Sequence, residues 1–446
     1  MADKQKDIKQ TGRLIDVDHI SLEEMIDVRQ PTAPVQTLAA PLVSKPRHHF
    51  LRATILAVIS VGLALSYTLY NQHLAVSPGV DQTVTQPQPL DEIVKVEGRY
   101  LFSGTLVWDR NVEEWSKDAN GNIDPAQPFS LLDSYNPDQY GAWIADLECP
   151  TIEADIPFEA GMQLLQFNCR QEYLPYAAKY FDYFDFANNH SDNLGRDKLI
   201  ETKAALEENG IGYFGDPDPS LTDETCKVVA LPVTVTMSNG ITSHEEDGRM
   251  PIALCAWHYF YRLPRAGEIE QMQKYAEIMP VFAFLHMGTE YQTHSNAYQQ
   301  NVAHKIIDAG ADFVIANNPH WVQESESYKG KLIVYSTGNF IFDQAWSQEV
   351  SSSVSIDALT EFTLAPDVEN WLEVGKNCPD KADCYQQVLE AGLSKMSASY
   401  SYTPIAGYIS KTTPQARADA AGQAFIEKRL NWAEVSSLLE NNPLEP

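Results

Sequence analysis

The stretch AGADFVIANNPH, residues 309–320, decides the fold. Gly310 closes a helix over Tyr298–Ala309, whose Val302, Ile306 and Ile307 fall on one face. The run Phe313–Ala316 is apolar, too short for a helix, and reads as a buried strand. It runs straight into Asn317-Asn318-Pro319-His320, so amide oxygens and an imidazole stand where the strand ends. The same pattern recurs three times. Tyr183–Ala187 ends in Asn188-Asn189-His190, Val281–Leu285 in His286-Met287-Gly288 with Glu290 just beyond, and Trp143–Leu147 in Glu148. Further strands are expected at Arg99–Phe102, Ile252–Ala256 and Leu332–Tyr335, and a second helix over Asp197–Asn209, closed by Gly210. Strands alternating with amphipathic helices predict an α/β fold whose loops gather at the C-terminal strand ends. A single His after a strand is more often a satisfied loop residue than a ligand. Four polar clusters at successive strand ends point to one shared pocket. His, Asn and carboxylate donors together suit Mn, Fe or Zn rather than a calcium cage.

Of 446 residues, 44% are hydrophobic and 10% aromatic, enough for a large core in the C-terminal 350 or so. The net charge is −29, from 61 acidic and 32 basic residues, and no Lys/Arg-rich patch is visible. A nucleic-acid partner is thereby excluded, since such binders need a basic face to displace counterions.

Residues Ala53–Tyr70 carry no charge, while Lys45, Arg47 and Arg52 precede them and no Lys or Arg follows until Lys95. This predicts a signal-anchor helix over 51–71, with residues 1–50 cytoplasmic and the remainder outside the bacterial cytoplasmic membrane. A cleaved leader of that length without an A-x-A site, or a buried core helix, accounts less well for the one-sided charge. Residues 72–93, rich in Pro and Gln, read as a linker, and 94–446 as the exported domain. All six cysteines follow the anchor. Disulfides are permitted there. Cys378 and Cys384 are the first candidates, whereas Cys149, Cys169, Cys226 and Cys255 either pair or remain buried thiols.

The order ECP, FANNH, HMGTEY, DAGADFVIANNPHWVQ, YKGKLIVYSTGNFIFDQ resembles the CapA family of bacterial capsule and poly-γ-glutamate synthesis proteins, within the calcineurin-like metallophosphoesterase superfamily. The resemblance runs from about Gly98 to Trp346 and leaves 347–446 as a less regular extension with a closing helix near Ala424–Leu439. It implies a sandwich of two mixed sheets flanked by helices, with one or two divalent metals at the strand ends. By position, Glu148, Asn189, His286, Asn318 and His320 become metal ligands, and His190 the residue that protonates a leaving group or holds phosphate. Thr105, Asn188, Glu290 and Asn339 become pocket-shaping residues.

Two positions depart from the family pattern. Thr105 stands where a Gly-Asp motif has its carboxylate, and Asn318 where the pattern has His. The resemblance therefore implies a partly degenerate site that holds one weakened metal or none. Asp109, four residues on, is a poor substitute for the missing carboxylate. Two functions follow as expectations. One is a membrane-anchored component of capsule or poly-γ-glutamate-type polymer synthesis or export, meeting other synthesis proteins and an anionic polymer or small substrate. The other is a metal-dependent hydrolase of a phosphoester or of the polymer's amides. The aromatic run Ala256–Tyr261 is expected in the core, and the insertion between Asp109 and Tyr140 as decoration of the pocket rim.

Overall fold

The computed structural model describes residues 92–243, 248–260, 262–378 and 384–440. The expected tail, anchor and nearly all of the linker lie outside these residues. Among the described residues no helix is long and apolar enough to cross a membrane.

In chain order the strands are β1 (Ile93–Leu106), β2 (Ala142–Leu147), β3 (Tyr183–Asp185), β4 (Gly212–Phe214), β5 (Cys226–Pro232), β6 (Thr234–Met237), β7 (Thr242–Ser243) and β8 (Arg249–His258). They continue with β9 (Val281–His286), β10 (Phe313–Asn317), β11 (Ser325–Tyr328), β12 (Lys331–Val334), β13 (Asn339–Ile341), β14 (Ser352–Phe362), β15 (Ala398–Ser410) and β16 (Thr413–Arg417). One sheet runs β16-β15-β14-β1-β2-β3-β4, with β13 and the β6–β7 pair also attached at β1; the other runs β11-β12-β10-β9-β8-β5. Both are mixed. β1 through β4 are parallel, as are β8, β9, β10 and β12, while β14–β16, β5 and β11 add antiparallel edges.

β1 explains why two sheets stack. Side chains alternate along a strand, so Tyr100 and Phe102 face the second sheet while Leu101 faces away. Phe102 meets Phe282, Phe284 and Phe313 at ring-centroid distances of 5.7, 5.8 and 5.2 Å. On the opposite face, Leu101, Trp143, Phe184 and Phe340 belong to a second buried cluster. The segment between Asp109 and Tyr140 is part of that cluster rather than decoration. Phe129, Leu132 and Tyr135 are buried, and Tyr135 packs on Trp143 and Phe340. A strand buried on both faces shows no hydrophobic alternation, which is why only the middle of β1 stands out in the sequence.

The expected helices form as α1 (Arg196–Glu208) and α2 (Ala297–Asp308). α2 starts at a capping box: Asn296 accepts from the Gln299 backbone N–H, and Gln299 returns the bond to the Asn296 N–H. The C-terminal hundred residues correct the expectation of irregularity. β14, β15 and β16 complete the first sheet, and α3 (Val368–Asn377) lies against β8. The closing helix is two short ones, α4 (Ala420–Arg429) and α5 (Trp432–Ser437), broken at Asn431 with φ 54°. The six cysteines form three disulfides, Cys149–Cys169, Cys226–Cys255 and Cys378–Cys384.

Candidate functional site

Parallel strands of both sheets deliver their C-terminal ends to one place. Thr105 leaves β1, Asp146 and Glu148 leave β2, and Asn188 to His190 follow β3. From the second sheet come His258 at the end of β8, His286 at the end of β9 and Asn317 at the end of β10. Register holds the last three abreast, since His258 pairs with His286 and Asn317 pairs with His286.

Glu148 is the centre. It is 1% exposed, and neither carboxylate oxygen has a hydrogen-bond partner among the described residues. Its Oε1 lies 3.5 Å from His286 Nε2 and 3.9 Å from His190 Nε2. A buried, unsatisfied carboxylate is costly unless something positive meets it. Burial alone would raise the Glu148 pKa; contact with His286, together with His320 and His190, holds it down at about 2. His286 answers in the other direction. Burial would lower its pKa, but Asp146 and Glu148 raise it to about 10, so the metal-free site holds an imidazolium between two carboxylates.

The imidazoles share one orientation rule. Each has Nδ1 against an oxygen: Asn193 Oδ1 for His190 at 2.6 Å, Asp146 Oδ2 for His286 at 3.3 Å, Asn339 Oδ1 for His320 at 2.8 Å and the Pro217 carbonyl for His258 at 3.0 Å. Such anchoring fixes a ring and commits its Nε2 to the remaining contact. Burial lowers the His190 pKa and pushes that of His258 down to about 4. Both rings are therefore neutral near pH 7, and His190 in the metal-free site accepts a proton more readily than it gives one.

Of the expected pocket-shaping residues, Asn188, Asn339 and Thr105 act through hydrogen bonds. Asn188 donates to Asp146 Oδ1 and the Leu147 carbonyl, while its own oxygen accepts from the backbone N–H groups of His190 and Ser191. Asn339 donates to Gln344 behind His320. Thr105 donates to Asp146 Oδ2 at 3.1 Å. Glu290 is half-buried on the loop after β9, and its charge acts on Tyr291, which stacks on His320 at 5.7 Å. Asp109 is spent elsewhere, accepting from the backbone N–H groups of Arg110 and Asn168.

Among the described residues no three His, Cys, Asp or Glu side chains gather closely enough to enclose a cation by themselves. Site atoms without a hydrogen-bond partner nevertheless include several able to coordinate a cation: both Glu148 oxygens, His286 Nε2, Asn189 Oδ1 and Asn318 Oδ1. One carboxylate, one imidazole and two amide oxygens are oxygen and nitrogen donors of the kind a divalent cation takes.

Comparison with known proteins agrees with the order of these motifs. The family described as "Bacterial capsule synthesis protein PGA_cap" matches residues 99–344. The chain belongs to the PGA_cap family. Similar proteins include "PGA biosynthesis protein CapA" of Bacillus subtilis, 38% identical over 186 residues that make up 39% of this chain and 46% of that protein. "Capsule biosynthesis protein CapA" of Bacillus anthracis is 26% identical over 186 residues, 39% of this chain and 43% of the relative. The chain thus spans less than half the length of the curated relatives it matches. A crystal structure of a Staphylococcus aureus protein in complex with alpha-ketoglutarate aligns over 75% of this chain and 58% of that one, at 12% identity and a TM-score of 0.34, a score too low to carry an argument.

The PGA_cap segment contains every expected site residue, but sequence reasoning missed three buried groups beside them: Asp146, Asp185 and His258. Asp185 is buried, accepts from the Ala187 N–H, and has its pKa pushed well up by burial and by the neighbouring Asp146. The available signal was a charged residue inside an apolar run, in AWIADL and again in YFD. His258 was hidden in an aromatic stretch whose Ala256, Trp257 and Tyr259 do pack in the core, while Tyr261 lies outside the described residues.

Proposed function

We propose that this protein is an accessory component in the synthesis or export of a capsule or poly-γ-glutamate-type surface polymer. It works outside the bacterial cytoplasmic membrane, tethered by residues 51–71, alongside other proteins of polymer synthesis. Its strand-end site binds one divalent cation and, through it, an anionic chain end. The observation that carries this reading is the ring of anchored imidazoles around a buried Glu148 whose oxygens have no hydrogen-bond partner. Family membership supports the polymer. The charge of −29 supports a local cation, because an acidic protein repels a polyanion in bulk. When bound, the cation would supply a positive point at which a carboxylate or phosphoryl oxygen docks. Residues Glu148, His286, Asn189 and Asn318 would hold it, with His320 beside them.

The test is polymer output from cells whose own copy is replaced by Glu148→Gln or His286→Ala. Output is expected to fall at least tenfold at equal protein level. Wild-type output from both variants would overturn the reading.

A second reading, hydrolysis at the same site, is favoured by one feature. A neutral His190, more exposed than Glu148, lies 3.9 Å from it, where it would be able to take a proton from an attacking water. Release of polymer fragments or phosphate by the manganese-treated protein, lost in His190→Ala, would establish it.

A further inference from the structure

Asp146 is 2% exposed and belongs to none of the motifs that mark the family. A carboxylate buried this deeply needs partners, and it has three from three different strand ends. Thr105 of β1 donates to Oδ2 at 3.1 Å, Asn188 after β3 donates to Oδ1 at 2.8 Å, and His286 of β9 places Nδ1 3.3 Å from Oδ2. The third contact fixes the imidazole. With Nδ1–H committed to Asp146, Nε2 is the atom turned towards Glu148 Oε1 at 3.5 Å, and it has no hydrogen-bond partner. The pairing register adds a second point. After an irregularity between Ser103 and Thr105, β1 and β2 pair Thr105 directly with Asp146. Residues paired across two strands emerge on the same face. The carboxylate on Asp146 therefore occupies the face where Thr105 offers only a hydroxyl.

We propose that Asp146 is a positioning residue of this site: it orients His286 for a divalent cation and brings a carboxylate from β2 beside the Thr105 hydroxyl. This rests on the cation-binding reading above. The loop with Asn189 and His190 is held by the same carboxylate through Asn188, which accepts from the His190 N–H at 3.1 Å. One side chain thus ties the β1, β3 and β9 ends to the Glu148 strand. A carboxylate behind a metal-bound histidine is typically worth 10–100-fold in affinity.

Manganese affinity of the full chain, measured by titration calorimetry after chelator treatment, provides the test. Asp146→Asn is expected to bind manganese about 10–100-fold more weakly than wild type. Glu369→Gln, which changes an exposed charge on α3, is expected to bind within about twofold. Equal affinity in wild type and Asp146→Asn overturns the inference and leaves the cation reading standing. No specific manganese binding by wild type overturns both. Because Asp146→Asn also removes a buried charge, a variant-free readout accompanies it: the imidazole ¹⁵N shifts of His286 in the zinc-treated wild type. Protonation at Nδ1 is expected, and protonation at Nε2 overturns the inference even if the variant fails to fold.

Discussion

Thr105 and Asp146 show how one atom changes the electrostatics of a buried site. The Thr105 hydroxyl gives its proton to Asp146 Oδ2 at 3.1 Å, in a place that is 1–2% exposed. An Asp at 105 would bring a second carboxylate against the first, where like charges cannot both be ionised without a cation between them. Thr105→Asp is therefore expected to destabilise the chelator-treated protein by about 3–5 kcal/mol, the range for an uncompensated buried charge. Manganese should restore most of the loss. Thermal melts with and without the metal check this, and a Thr105→Asp protein as stable as wild type in chelator would contradict it. Asn318 offers a parallel case. Its φ of 98° is unusual for a residue with a side chain, and its Nδ2 donates to the Gly288 carbonyl at 2.7 Å. Asn tolerates that backbone better than most residues. Asn318→His is accordingly expected to cost stability of the order of 1–2 kcal/mol through lost hydrogen bonding and backbone strain, measured by urea denaturation.

At the scale of elements, the approach of β13 to β1 holds the Asn339 end of the site in place. Thr105 N–H donates to the Gly338 carbonyl at 3.1 Å, and Thr105 pairs with Asn339, the residue that anchors His320. A Cβ on Gly104 would lie 2.1 Å from the Gly338 carbonyl oxygen, a contact that only backbone movement relieves. Gly104→Ala is expected to cost about 1–3 kcal/mol in stability, as overpacking does. It should also weaken manganese binding by moving Asn339. A denaturation midpoint equal to wild type would show that the β1–β13 contact is more yielding than its geometry implies. The hydrophobic interface between the sheets makes a larger claim. Phe102→Ala, at the centre of the contacts with Phe282, Phe284 and Phe313, should lose roughly 3–5 kcal/mol. Because the residue points away from the strand-end polar groups, cation affinity in the surviving folded fraction should stay close to wild type.

At the scale of the whole molecule, charge and cross-links set behaviour. A chain at −29 should bind an anionic polymer such as poly-γ-glutamate only while a divalent cation is present. Chelator should release it in a pull-down at physiological salt, and chelator-resistant binding would point to a cation-independent surface. The Cys149–Cys169 disulfide closes a sequence separation of 20 residues directly after Glu148. Replacing both cysteines by Ser should cost about 3 kcal/mol by the loop-closure argument. The loss should exceed that of the Cys378–Cys384 pair, whose separation is 6. Comparative denaturation of the two double variants checks the order.

The sequence alone determined the elements with local signals. Gly310 and Gly210 ended helices, apolar runs bounded by polar clusters became β2, β3, β9 and β10, and residues at those strand ends meet at one site. Short-range chemistry writes such features: caps, hydrophobic runs and αL-tolerant turns. Strands β14 to β16 escaped notice because their stability comes from pairing with β1 and with one another, and long-range pairing of this kind leaves no local mark. Asp146 and Asp185 escaped for a related reason. Inside an apolar run an acidic residue looks like an interruption, and only the tertiary structure supplies the Thr105, Asn188 and His286 partners that make Asp146 tolerable in the core. Which ring nitrogen of each histidine is anchored, and so which is left free to turn elsewhere, is likewise a tertiary decision, set by the oxygens of Asn193, Asp146, Asn339 and Pro217 held in place by other strands. The sequence chose the side-chain types at the strand ends; the packing of two sheets chose their protonation and aim.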